Sequence, residues 1–222
     1  MSSVVPRARR VELPEALPIF PLSGVVLLPR GRLPLNVFEP RYLNMTDDAL
    51  AGSRTIGIVQ PLETSGDPVG DTVDVYDTGC AGRVTSFSET PDGRYLITLT
   101  GLSRFHIASE FDLVRGYRRV AAEYGPFASD LEEDPGRIGD RPGLMDAVRA
   151  YFKVTGIEAD FEALEAASNE SLVTALAMIC PLEPRDKQAL LEAKGVEDRS
   201  TLLTSLLEFA VQGNMPSGET RH

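Results

Sequence analysis

Apolar residues along this chain follow two rhythms, and the change falls near its middle. Up to about residue 125 they alternate with polar residues or come in short β-branched runs. Beyond about residue 140 they recur at spacings of three and four, and alanine and leucine take over. The first rhythm matches the two-residue period of strands, the second the helical period. Strands followed by helices predict an α+β fold.

The elements follow from that pattern. Strands are predicted at 16–22 and 25–28, around Ser23-Gly24, and at 33–38, with Pro29 and Pro34 confining them to edges or bulges. Residues 39–50 read as a helix. Pro40 suits its first turn, where a missing N–H costs nothing, and Gly52 ends it. Tyr42, Leu43, Met45, Ala49 and Leu50 form its apolar side. A buried strand at 55–59 and a loop at 61–72 follow. Residues 82–89 and 94–100 form a hairpin around Thr90-Pro91-Asp92-Gly93, where Pro pre-sets one torsion and Gly takes the positive one. Gly101 is expected to break the second strand. In the next, 102–111, Ser103, Phe105, Ile107 and Phe111 alternate with Arg104, His106 and Glu110, so His106 is expected to face solvent. A last strand lies at 116–124. Many short strands with little helix suggest a small antiparallel barrel or sandwich.

Residues 126–141 are acidic and turn-rich, with Asp130, Glu132, Glu133 and Asp134, and read as a connector. Helices are predicted at 144–154, 161–167, 170–179 (capped by Ser168 or Asn169), 184–194 and 199–211. The stripe of Leu202, Leu203, Leu206 and Leu207 needs a packing partner. The expected organisation is a β subdomain at 15–125, the connector at 126–141, a helical bundle at 142–212 and a disordered tail at 213–222. Limited proteolysis is expected to cut the connector first.

Charge narrows the partners. Lys and Arg number 22 against 33 Asp and Glu, a net charge of −11. Neither a nucleic-acid backbone nor an anionic membrane suits such a surface. Trp is absent and aromatics are 7%, so stacking platforms for bases are scarce. Cys80 and Cys180 lie a hundred positions apart, no disulfide framework or metal knuckle, and only two histidines occur. No metal or cofactor is expected. Arg7, Arg9 and Arg10 are not followed by an apolar stretch, 17–28 is broken by Pro18, Pro21, Ser23 and Gly24, and 172–180 is too short for a bilayer. These features predict a cytoplasmic protein with free thiols. Phosphate-loop, nucleophile-elbow, dinucleotide-binding and His-Glu-x-x-His motifs are missing, so neither ATPase nor peptidase activity is expected.

One resemblance emerges from motif order. Leu17-Pro18-Ile19-Phe20-Pro21-Leu22 leads through Val25-Val26-Leu27-Leu28-Pro29 to Leu33-Pro34-Leu35-Asn36-Val37-Phe38-Glu39-Pro40-Arg41-Tyr42. Gly79-Cys80-Ala81-Gly82-Arg83-Val84, Gly101-Leu102-Ser103-Arg104-Phe105-His106-Ile107 and the stretch from Leu182 to Glu192 follow in register. Together these resemble the N-terminal substrate-binding domain of the Lon protease family, in the form of its stand-alone bacterial members. The resemblance implies a PUA-like six-stranded β-barrel subdomain, then a helical bundle. Lon itself continues into an ATPase module and a Ser–Lys protease domain, which this sequence does not contain, so what carries over is recognition rather than proteolysis.

The strand-to-helix corner is the candidate site: Phe38, Glu39, Arg41, Tyr42 and Met45. It reads in two ways. Glu39 at the positive helix end and Tyr42 packed on the sheet would be purely structural. Alternatively, Arg41 and Tyr42 line a recognition groove, roles both residue types fill at interfaces. The second reading predicts weak binding of unfolded or partner polypeptide, lost in Arg41→Ala and Tyr42→Ala at little cost in melting temperature. A small-molecule hydrolase built from scattered Asp, Glu, Ser and His is the alternative. RNA binding rests only on analogy with PUA modules, and the acidic charge opposes it.

Overall fold

The computed structural model describes residues 13–62, 73–132 and 136–214. Its first half contains β1 (Ala16–Pro21), β2 (Arg32–Val37), α1 (Pro40–Ala51), β3 (Thr55–Val59), β4 (Thr78–Glu89), β5 (Tyr95–Val114) and β6 (Tyr117–Glu123). A 3-10 helix, Gly125–Leu131, leads to α2 (Arg141–Thr155), α3 (Phe161–Ala166), α4 (Asn169–Ile179), α5 (Pro184–Glu192) and α6 (Val196–Asn214). The α+β expectation holds.

The six strands form one sheet in the order β2-β5-β4-β3-β1-β6, and β5 pairs again with β6, so the strands run round in a ring. The 20-residue length of β5 makes this possible. Its first part lies against β2, with Leu35 opposite Ile97, and its last part against β6, with Glu110 opposite Val120. The sheet is mixed, not antiparallel throughout as the sequence suggested. β1 and β3 run parallel, with Ile19 opposite Gly57. A parallel pair needs a crossover, and the chain through β2 and α1 supplies it.

Three local expectations change. The apolar run 25–28 is not a strand, although Val26, Leu27 and Leu28 are all buried. It crosses the sheet at Gly101, which donates its N–H to Gly31 and accepts one from Arg30, both at 2.9 Å. Gly101 therefore does not break β5. A Cβ there would sit 2.0 Å from the Leu28 carbonyl oxygen, so glycine is what lets the two backbones touch. Finally, α6 begins before Arg199 and takes in Gly213 and Asn214. The predicted tail beyond them, residues 215–222, lies outside the described residues, as do loop residues 63–72 and connector residues 133–135.

Turns and caps follow local chemistry. In the hairpin, Gly93 has φ of +80° and donates to the Thr90 carbonyl at 2.9 Å. Asp140 caps α2 through the Gly143 N–H, and Ser168 rather than Asn169 caps α4. Gly156, with φ of +73°, closes α2 in the left-handed conformation.

Two apolar clusters result. Leu17, Ile19, Val59, Ala81, Phe105 and Val120 pack together inside the ring. A larger cluster joins Phe20, Val37 and Leu99 of the sheet to Leu144, Val148, Leu176 and Leu203 of the helices. The predicted leucine stripe thus meets its partner.

Candidate functional site

The corner between β2 and α1 is held from both ends. At its start, Pro40 occupies the first turn and the Glu39 carbonyl accepts the N–H groups of Tyr42 and Leu43 at 3.0 and 2.9 Å. The Glu39 side chain makes no cap. It pairs instead with Arg41, whose Nε and Nη2 lie 3.0 and 2.9 Å from Oε2. The Arg41 guanidinium sits over the Tyr42 ring, 4.5 Å from its centroid. That ring packs on Phe20 at 4.1 Å between centroids. Burial pushes the Tyr42 hydroxyl above its ordinary pKa, so it stays neutral.

At the far end of α1, Asp47 accepts from the Tyr95 hydroxyl at 3.0 Å and Asp48 from the Tyr117 hydroxyl at 2.9 Å. Arg115 reaches Asp48 at 2.6 Å. The helix is thereby tied to β5 and β6, and the corner has little freedom to move.

The candidate residues sort by depth. Phe38 stands 60% exposed. Glu39 and Arg41 are half-buried. Tyr42 is buried with only its edge reaching the surface, and Met45 is fully buried, so Met45 has no surface to offer a ligand. Beside Phe38 runs a groove of about 290 Å³, lined by Phe20, Leu22, Val25, Leu35, Phe38 and Tyr42 among others. Tyr42 and Phe20 therefore act as the floor that fixes the groove.

A residue assigned to the outer face of its strand proves central. Arg104 is 3% exposed and its partner Asp130 only 8%. Asp130 accepts from the Arg104 backbone N–H and Nε at 2.9 Å each and from Nη2 at 2.8 Å. Arg104 Nη1 donates to the carbonyls of Leu191 and Ala193 at 3.1 and 2.6 Å, and Nη2 to that of Lys194 at 3.2 Å. Phe127 covers the guanidinium at 4.7 Å. One side chain thus joins β5, the 3-10 helix and the end of α5. Alternation correctly set Arg104 opposite Phe105. It could not show that both faces of β5 are covered here.

The neighbouring His106 also departs from expectation. Its Nδ1 lies 3.1 Å from the Thr78 hydroxyl and its ring packs on Phe127 at 4.8 Å, so it does not face open solvent. Cys80 and Cys180 are free and buried, which pushes both thiols up, Cys180 to about 11. Among the described residues, no group of His, Cys, Asp or Glu is placed to hold a metal, and no helix is long and apolar enough to cross a membrane.

Order of elements, register and corner together point to one family, and the chain's match to a family model decides it. Residues 16–208 match the substrate-binding domain of the ATP-dependent protease La, or Lon. The chain belongs to the Lon substrate-binding domain family. It is 27% identical over 193 residues to a Lon protease of Flavobacterium johnsoniae, covering 85% of this chain and 23% of that protein. To a Lon protease of Buchnera aphidicola it is 24% identical, covering 93% of this chain and 26% of that one. The chain therefore spans about a quarter of the length of these curated relatives. In fold it is similar to the crystal structure of a Lon N-terminal domain protein from Xanthomonas campestris, with a TM-score of 0.57, 23% identity and coverage of 86% and 97% of the two chains. The N-terminal domain of a Mycobacterium avium complex Lon protease gives a TM-score of 0.56 at 16% identity, covering 87% and 98%.

Proposed function

We propose that this Lon-type domain recognises exposed apolar polypeptide, performs no chemistry of its own, works in the cytoplasm, and seats its ligand in the groove beside Phe38. The carrying observation is an exposed aromatic on the wall of an apolar groove whose floor, Phe20 and Tyr42, is immobilised. Recognition of unfolded chains needs apolar contact without strict sequence reading, and a rigid aromatic anchor supplies it at low entropic cost. Glu39, which also lines the groove, can accept hydrogen bonds from a peptide backbone. The family's description as substrate-binding supports the same reading. So small a contact implies affinity on the order of micromolar or weaker.

Anisotropy with a labelled, permanently unfolded protein tests this. Phe38→Ala should weaken binding about tenfold, because truncating an anchor residue costs more than 1 kcal/mol. The same change at an exposed position should leave stability within about 0.5 kcal/mol. Phe209→Ala on α6 is the control: Phe209 is more exposed, at 76%, and lies away from the groove, so binding should not change. Equal losses in both variants, or none in either, would remove the groove from consideration. ATP turnover or casein cleavage abolished by a point mutation in this chain would overturn the non-catalytic reading.

A further inference from the structure

We infer that the cleft between the sheet half and the helices is a binding site for one small phosphate-type oxyanion. Its volume is about 240 Å³, and its lining includes Arg30, Arg104, Asp130, Glu170, Lys194 and Arg199. None of the groove residues beside Phe38 belongs to it, so this site is independent of the polypeptide reading.

Charge pairing inside the cleft leaves a remainder. Asp130 is fully engaged by Arg104, and Glu170 pairs with Arg30 at 2.6 Å. Glu132 is exposed, and its backbone carbonyl also accepts from Arg30. Arg199 is different. It is 5% exposed, and no carboxylate lies within ion-pair distance of it among the described residues. Nε donates to the Leu190 carbonyl at 2.7 Å and Nη2 to that of Ala193 at 3.3 Å, while Nη1 makes no hydrogen bond among the described residues. Carbonyls satisfy donors but do not neutralise a charge, and the carboxylates near Arg199, Asp130 and Glu170, are already paired with Arg104 and Arg30, so three guanidinium groups face two carboxylates. Burial, and next the adjacent Arg104, lower the Arg199 pKa to about 10, and the nearby Asp130 and Glu170 offset this only in part.

The surroundings complete an anion site. Lys194 is exposed at the mouth and makes no ion pair among the described residues. Gly195 and Val196, at the start of α6, line the same cleft, and a first helical turn presents N–H groups that favour oxyanions. Glu197 and Asp198 in that turn are exposed and do not line the cleft. Among the described residues, four cations (Arg30, Arg104, Lys194, Arg199) stand against three carboxylates (Asp130, Glu132, Glu170), a lining charge of +1. That remainder suits one small anion. It does not suit a polyanion, which the chain's net charge of −11 would also repel. Arg199 Nη1, Lys194 and the first-turn N–H groups are three separate sources of donors, which suits phosphate, with more than two acceptor oxygens, better than a carboxylate.

The test is a titration of the full chain with inorganic phosphate at constant ionic strength, followed by amide chemical shifts. Saturable shifts confined to Lys194–Arg199, Arg104 and Arg30, absent with chloride, are expected. Lys194→Ala removes an exposed side chain, leaves the fold intact, and should weaken binding about fivefold, the loss of one exposed charge contact. Lys194→Arg should retain it. Arg199→Met should abolish binding, read only where its spectrum stays folded, with Lys194→Ala sufficient by itself. Unchanged binding in Lys194→Ala, shifts elsewhere, or no saturable shift would overturn the proposal. Equal affinity for acetate would overturn the phosphate assignment.

Discussion

Removing the Asp130 carboxylate should destabilise the protein by about 3–5 kcal/mol, because it strands a buried guanidinium. Three hydrogen bonds disappear in Asp130→Ala, and Arg104 keeps its charge at 3% exposure with only the carbonyls of Leu191, Ala193 and Lys194 around it. At 2–4 °C per kcal/mol for a chain of this size, the melting temperature should fall by about 10 °C. Urea denaturation followed by circular dichroism gives the free energy, and an unchanged slope would show that the denatured state is unaffected. Asp146→Ala is the matched control. Its pair with Arg149 is exposed on both sides and should matter by less than about 0.5 kcal/mol. A double-mutant cycle adding Arg104→Met should show coupling above about 1 kcal/mol, since the residues act as one unit. A loss under about 1 kcal/mol in Asp130→Ala, or simple additivity in the cycle, would refute the claim that this pair joins the strands to the helices.

Other changes probe other links. Gly101→Ala should cost more than about 2 kcal/mol in denaturant titration, because its new methyl would meet backbone that cannot move aside. Tyr42→Ala should cost about 3 kcal/mol, as the structural rather than the recognition reading of the corner expects, because it empties the space above Phe20. Arg41→Ala should cost under about 1 kcal/mol. With its pKa raised to about 11, Cys180 is about one part in a thousand thiolate at pH 8, so a thiol reagent should label the native protein only as it unfolds. Stoichiometric labelling of folded protein would contradict that. The proposed division at 126–141 predicts first proteolytic cleavage after Glu132, since Arg104 fixes Asp130. Early cuts within Tyr95–Val114 would count against it.

How much of this was legible beforehand depended on range. Pro40, Gly52, Ser168 and the Thr90–Gly93 turn act within a few residues of themselves, and each was readable as punctuation. The strand-then-helix order was legible for the same reason, since periodicity is local. The parallel pairing of β1 with β3 was not, because nothing in either strand records its neighbour. Residues 25–28 carried the composition of a strand and became a buried crossing instead. Their apolar side chains demanded burial, but burial does not specify a ladder, and the decisive contact was with Gly101, far along the chain.

The corner and the Arg104–Asp130 pair show the same limit from opposite sides. Phe38 to Met45 was singled out as one motif, yet helical geometry sends Tyr42 and Met45 into the core, while Phe38, between β2 and α1, stays exposed. Adjacency in sequence gave a shared location without a shared role. Arg104 and Asp130, 26 residues apart, were both read as exposed, one as an outward strand residue and one as part of a solvated acidic run. Each reading was sound for an isolated segment. The 3-10 helix folding back over β5 buries both, and once buried, either charge alone would be intolerable. Arg199 carries that reasoning one step further. It shares the buried environment of Arg104 but has no carboxylate in direct ion-pair contact among the described residues, and the proposed oxyanion site rests on that difference.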